Sequence, residues 1–173
     1  MHPPLLTTSR LILRKFTSSD AQDVQELVGD PAVSSNLSDV PYPYVDGMAE
    51  QWIASHTPGW ESETLACFAI TYKQRLVGAI SLMDIKERQA ELGYWIGKPY
   101  WGNGYCTEAV KKIVLFAFQS LCIKRLYAHH LSSNPQSGKV LLKSGFQYMA
   151  EGYVKWPKNV ELVKVVLYEC ISG

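Results

Sequence analysis

The sequence predicts an α/β (α+β) fold, with a mixed, largely antiparallel sheet of about seven strands flanked by about four helices. Hydrophobic spacing switches repeatedly between the strand period of two and the helix period of 3.6. Three successive strand-like segments are joined by short polar turns, after which a glycine-punctuated turn opens a long amphipathic helix. A length of 173 residues with 47% hydrophobic and 12% aromatic content suits one compact domain with a sizeable core.

The elements follow in order. Leu11 to Arg14 reads as a short strand. Ser19 can cap a helix with the apolar stripe Ala21, Val24, Leu27 and Val28, and after an irregular loop a second helix is expected over 45–55, with Met48 and Trp52 four apart. Segments 65–72, 76–83 and 90–96 form the meander. The helix after the glycine turn carries Val110, Ile113, Val114, Ala117, Phe118 and Leu121, spaced to fall on one face. Residues 125–131 form another strand. Asn134 can cap a helix with Pro135 in its first position and Gly145 beyond its end. Segments 146–156 and 160–170 close the chain as strands around Pro157-Lys158-Asn159.

Composition removes several functional classes. Charge interrupts every apolar run before the roughly 20 residues a membrane span needs, and the first ten residues lack a basic segment followed by an apolar one, so a soluble, cytoplasmic protein is expected. Seventeen basic and sixteen acidic side chains leave a net charge of +1, which argues for neither nucleic acid nor an anionic membrane as partner. Cys67, Cys106, Cys122 and Cys170 contain no Cys-x-x-Cys pair and read as reduced thiols. His129 and His130 are adjacent in a strand and point to opposite faces, so no metal site is expected.

Trp101-Gly102-Asn103-Gly104-Tyr105-Cys106-Thr107 suits an anion, because a helix start presents unpaired N–H groups and glycines admit a phosphate to the backbone. A P-loop is excluded, since no lysine follows either glycine. A dinucleotide fingerprint lacks both a third small residue at Thr107 and an acidic residue about 20 positions on. A purely structural strand-to-helix turn stays open on this segment alone.

The surrounding residues narrow the choice. Ala90-Glu91-Leu92-Gly93-Tyr94-Trp95-Ile96 precedes the turn, Thr107-Glu108-Ala109 lies in the helix, and Asn134-Pro135-Gln136-Ser137 and Lys143-Ser144-Gly145-Phe146 follow. With the opening Thr8 to Arg14, these segments resemble the GCN5-related N-acetyltransferase (GNAT) superfamily over nearly the whole chain, and within it the Rim branch, whose members acetylate ribosomal-protein N-termini. The resemblance implies acetyl-CoA as co-substrate, its pyrophosphate on the amides of 101–107, and its pantetheine arm near Asn134. Trp101 stands where Gln or Arg is usual in that family, and Cys106 where Gly or Ala is.

The same resemblance implies an amine acceptor such as a ribosomal-protein N-terminus; separately, exposed strand edges near the C-terminus would allow a homodimer. Glu91 is then the general base, against a plain solvated strand residue, and the glycine beside it leaves room for a ligand. Ser137 is the hydroxyl that protonates the departing sulfur, against a second capping hydroxyl, because Leu141 occupies the place of the tyrosine many members use. A main-chain N–H within 94–96, with Ile96 at its end, is expected to hold the developing oxyanion. Asn36, Tyr42 and Trp52, with Tyr44 and Trp60, fall in the segment that forms the acceptor side in related enzymes, although aromatics at this density also suit a core. Lys164 occupies a position where the branch places a carboxylate. Small-molecule amines such as polyamines, amino acids or antibiotics remain open as acceptors, as does a non-catalytic acyl-CoA sensor. Cys106 reads as a space filler, against a thiol nucleophile activated by the helix start.

Overall fold

In a computed structural model describing residues 3–173, eight strands form one sheet in the order β1-β2-β3-β4-β5-β6-β8-β7. Met1 and His2, at the start of the segment read for a leader, lie outside the described residues. The elements are β1 (Leu6–Thr7), β2 (Leu11–Arg14), α1 (Ala21–Gly29), α2 (Pro31–Ser34), α3 (Met48–Glu61), β3 (Ala66–Tyr72), β4 (Arg75–Lys86), β5 (Gln89–Ile96), α4 (Tyr105–Gln119), β6 (Arg125–Leu131), α5 (Pro135–Lys143), β7 (Gln147–Val154) and β8 (Val163–Ile171). All ladders are antiparallel except β5 with β6.

The two faces of the sheet bury different clusters. One holds Phe68, Ile80, Leu92, Val110, Ile113, Leu126 and Leu141 beneath α4 and α5, and the other holds Phe16, Val24, Val28, Ala49, Ala79 and Trp95 beneath α1 and α3. Strand alternation therefore works as read: Leu92, Tyr94 and Ile96 belong to the first cluster and Trp95 to the second.

The structure adds two elements and corrects several ends. β1 is only two residues long, and α2 begins at Pro31 with the Asp30 carboxylate accepting the Ala32 N–H at 2.8 Å, a proline-and-cap start inside the segment read as loop. Ser19 is not the cap of α1. It lies in a 3-10 turn (Ser18–Asp20), and Asp20 accepts the Thr17 N–H at 2.8 Å while held by Arg14 at 2.7 Å. The helix expected over 45–55 starts later and continues through Pro58 to Glu61, because Trp60 beyond the proline packs edge-on against Phe68, 5.2 Å between centroids. Asn134 occupies the cap position of α5, but its side chain makes no cap bond; its carbonyl accepts the Ser137 N–H at 3.2 Å. Gly145, at φ +93°, follows the end of that helix as expected.

Candidate active site

β5 and β6 run parallel and pair only at Gln89 with Arg125, Ala90 with Leu126 and Glu91 with Tyr127. Beyond Glu91 they diverge, β5 staying with β4 to Ile96 and β6 with β8 to Leu131, so a wedge opens in the sheet. The Gly97 N–H bonds the Val77 carbonyl at 2.9 Å, and alternation turns the Ile96 N–H the other way, toward the wedge. Close strand approach supports this edge: a Cβ on Gly78 would lie 2.2 Å from the Trp95 carbonyl oxygen.

Glu91 sits at the apex with its side chain about one-fifth exposed, and its Oε1 is 3.0 Å from Nδ1 of His129. The space beside it is not open as expected, because a Cβ on Gly93 would meet the terminal methyl of Met83 at 2.7 Å. On the other face Tyr94 reaches α5, its hydroxyl 2.8 Å from Ser137 Oγ and donating to the Ser137 carbonyl at 3.1 Å. Ser137 is thus no capping hydroxyl. Burial, chiefly, pushes the Tyr94 phenol far above its ordinary value, so it stays a proton donor.

At the wide end of the wedge the glycine turn is held by side chains and leaves its amides free. Trp101 donates its indole N–H to the Ile96 carbonyl at 2.7 Å, pinning the turn to the end of β5. Asn103 donates to the Tyr100 and Trp101 carbonyls at 3.0 and 3.2 Å, and Gly102 and Gly104 take φ of +78° and +76°. Between Trp101 N–H, which bonds Lys98, and Glu108 N–H, which bonds Gly104, the six amides of 102–107 have no acceptor among the described residues. These amides at the start of α4 fit a polyoxygen anion such as a diphosphate.

Not every side chain in this turn faces a ligand. Tyr105 is buried against Tyr72, 5.0 Å between centroids, with Arg10 4.8 Å above its ring. Burial pushes the Cys106 thiol up to about 12, which removes it as a nucleophile. Thr8, Ser9 and Arg10 all bond the Glu108 carboxylate, tying the start of the chain to the first turn of α4.

The residues expected on the acceptor side divide. Tyr42 lines a cavity of about 310 Å³ together with Leu131, Trp156, Lys158, Asn159 and Ser34. Asn36 instead donates to the Ala32 carbonyl at 2.9 Å, Trp52 stacks among Phe16, His56 and Trp95, and Trp60 is core. Tyr44 packs at the edge of the second cluster. Lys164 pairs with Glu151 at 2.6 Å and alternates to the face opposite Val163, which lines the cavity.

Three residues escaped sequence reading. His129 gives no local sign of meeting Glu91, since that depends on the β5–β6 register. Trp156 and Lys158 come from the β7–β8 loop, and Lys158 crosses to the carbonyls of Ser34 at 2.5 Å and Val40 at 3.2 Å. Among the described residues, no cluster of three or more His, Cys, Asp or Glu is placed to hold a metal, and no helix is long and apolar enough to cross a membrane.

Comparison with known proteins agrees with this geometry. Residues 10–147 match the family described as acetyltransferase (GNAT) domain. The Bacillus subtilis (strain 168) protein YoaA, an uncharacterized N-acetyltransferase, is 31% identical over 91% of this chain and 94% of its own length. A ribosomal-protein-serine acetyltransferase of Escherichia coli (strain K12) is 32% identical over 51% of this chain and 49% of its own. The solved structure of RimL, a ribosomal L7/L12 alpha-N-protein acetyltransferase in complex with coenzyme A, shares the fold with a TM-score of 0.87, 17% identity and coverage of 97% and 98% of the two chains. A wedge between diverging parallel strands, an open-amide turn at a helix start and a match over most of the chain converge on one conclusion: this protein belongs to the GNAT acetyltransferase family and is an N-acetyltransferase.

Proposed function

We propose that residues 1–173 act as one domain that transfers acetyl from acetyl-CoA directly to the α-amine of a peptide or protein N-terminus, such as a ribosomal protein's, in a ternary complex. The observation that carries this reading is the placement of Glu91 on one face of the wedge and the Tyr94–Ser137 pair on the other, flanking the gap where β5 and β6 part. Glu91 serves as base for the amine, and the Ile96 N–H serves the charge that collects on the acetyl oxygen, a donor worth about 3 kcal/mol in comparable sites. Ser137, its hydroxyl positioned by Tyr94 2.8 Å away, protonates the departing sulfur. The diphosphate of acetyl-CoA lies on the amides of 102–107, with Asn134 toward the pantetheine arm.

Acceptor choice rests on two arguments. Deprotonating an α-amine at neutral pH costs about 3.5 kcal/mol less than deprotonating a lysine, which matches a site with one carboxylate. The residues lining the cavity include Lys158 and no carboxylate, a poor setting for a polyamine. Four free cysteines support a reducing cytoplasmic setting. Exposed Tyr148, Met149 and Tyr153 on the edge strand β7 support pairing of two copies.

Thiol release measured over free peptides, N-blocked peptides, spermidine and amino acids tests this, with mass spectrometry locating the acetyl group. The expected outcome is α-acetylation of peptides, with Glu91→Gln lowering kcat about 100-fold or more and leaving acetyl-CoA affinity within about twofold. Faster turnover of spermidine would move the acceptor to small amines. Tight acetyl-CoA binding with no turnover on any amine would make the chain a sensor.

A further inference from the structure

We infer that the proton of the acceptor amine comes to rest on His129, so that the base is a Glu91–His129 pair with the imidazole Nε2 as its receiving atom. This deepens the acyl-transfer reading above and rests on it for the identity of the proton donor. The pair stands on geometry: Nδ1 lies 3.0 Å from Oε1 of Glu91, both side chains are about three-quarters buried, and the contact sits where the strands part. With Glu91 ionised, the neutral imidazole donates Nδ1–H to the carboxylate and keeps a lone pair on Nε2, which has no partner among the described residues. The carboxylate fixes tautomer and ring orientation, as the aspartate does in Ser-His-Asp triads. The ring also stands 6.5 Å from that of Trp156, a residue lining the cavity.

A proton-affinity argument favours the imidazole. An ordinary carboxyl, near 4.3, lies about 3.5 pH units below an α-amine, whereas an ordinary imidazole, near 6.5, lies about 1.3 below it. Transfer to imidazole is therefore about 150-fold less uphill. The charged and titratable groups around His129 are Glu91 from β5, Tyr127 on its own strand with Asp84 acting on that phenol, and Lys158 above the Trp156 ring at 5.5 Å. Leu167 faces it from β8.

The step balances. An N–H bond of the ammonium breaks and an Nε2–H bond forms, leaving a neutral amine and an imidazolium paired with Glu91. The amine lone pair then forms the C–N bond, the C–S bond breaks with its electrons on sulfur, and the nitrogen loses its second proton as the thiolate gains one. The yield is one amide, one thiol and one proton, which His129 returns to water.

Two measurements test the pair. In nitrogen-15 spectra the neutral His129 ring should carry its proton on Nδ1, and Glu91→Leu should move it toward Nε2, because the acceptor that fixes the tautomer is lost. In the acyl-transfer assay His129→Gln should lower kcat about 30-fold with both KM values within about twofold, and move the acid limb of the kcat profile. Added imidazole should restore part of the turnover of His129→Ala. A His129 tautomer that Glu91→Leu leaves unmoved overturns the pair whatever the activity, as does a His129→Gln enzyme with full kcat and an unaltered pH profile. Absence of amine-dependent thiol release from the wild-type chain would sink the transfer reading instead, and the spectra would still decide the pair.

Discussion

At the α4 end of the wedge the proposed binding groups are main-chain amides, spread over six consecutive residues and stiffened by the side chains of Trp101 and Asn103. Across the wedge, at the end of β6, the cavity is lined by side chains from α2, from the segments that follow α2 and β7, and from the strand ends at Leu131 and Val163, and Lys158 joins segments 124 and 118 residues apart in the chain. The polar groups at the first end are either paired or open. At the second, Trp156 Nε1 and Asn159 Oδ1 are buried with no hydrogen-bond partner among the described residues. Recognition by backbone asks only for positive φ and a helix start, which leaves the neighbouring side chains free to vary; Trp101 and Cys106 depart from the family pattern without closing the amides. Recognition by side chains asks for a particular set of residues brought together by tertiary structure, and that set can change with the acceptor.

The comparison breaks most sharply at Gly104. Its φ of +76° suits glycine, and a Cβ there would meet only Arg10 Nη2 at 3.6 Å, so space is adequate and conformation is the obstacle. A β-branched residue held in the left-handed region costs about 1–2 kcal/mol or more, and relief of that strain rotates the amides on either side. Gly104→Val should therefore weaken acetyl-CoA binding about 10-fold or more by calorimetry, with acceptor KM little changed. An unaltered acetyl-CoA affinity would show that the amides of this turn are not where the co-substrate binds.

How much was legible follows from the same contrast. The stripe Val110, Ile113, Val114 and Ala117 is buried as its spacing required, and Phe118 and Leu121 pack at its margin, because helix periodicity is a local property. The alternation of β5 was equally readable. The divergence of β5 and β6 was not, since pairing stops at Glu91 for reasons set by the whole sheet, and without that register the contact of Glu91 with His129 has no signature. Trp60, placed by sequence in the acceptor segment, lies in the core, whereas Trp156 lines the cavity from a loop nearly a hundred residues later in the chain. A tryptophan's sequence position says little about which of two faces it fills.

Lys158 tests the other end. Its ammonium donates to two carbonyls of the 34–40 segment from an exposed side chain, so removing it costs about 1 kcal/mol after allowance for solvent. Lys158→Met keeps the stem and loses the donors. Acceptor KM should rise about fivefold and the melting temperature fall by about 2–4 °C, with acetyl-CoA affinity unchanged. A matching loss of acetyl-CoA affinity would mean that the two ends are mechanically coupled and the comparison is too sharp.

The smallest effect belongs to acid. Burial raises the Glu108 carboxyl, but hydrogen bonds from Thr8, from the Arg10 side chain and amide, and from Ser9 outweigh it and hold it below its ordinary value. A carboxylate with a lowered folded value contributes stability that is fully present above the ordinary carboxyl range and is lost as pH falls through the folded value. The loss falls below about pH 4, and it falls at the α4 end, where Glu108 ties Thr8, Ser9 and Arg10 to the first turn of the helix. Between pH 5 and 3, Glu108→Gln should therefore lose less stability than the wild type, and amide exchange in the wild type should rise over 6–11 while 34–40, held by Lys158, stays protected. Equal exposure of both segments on acidification would place the acid-labile contact outside this clamp.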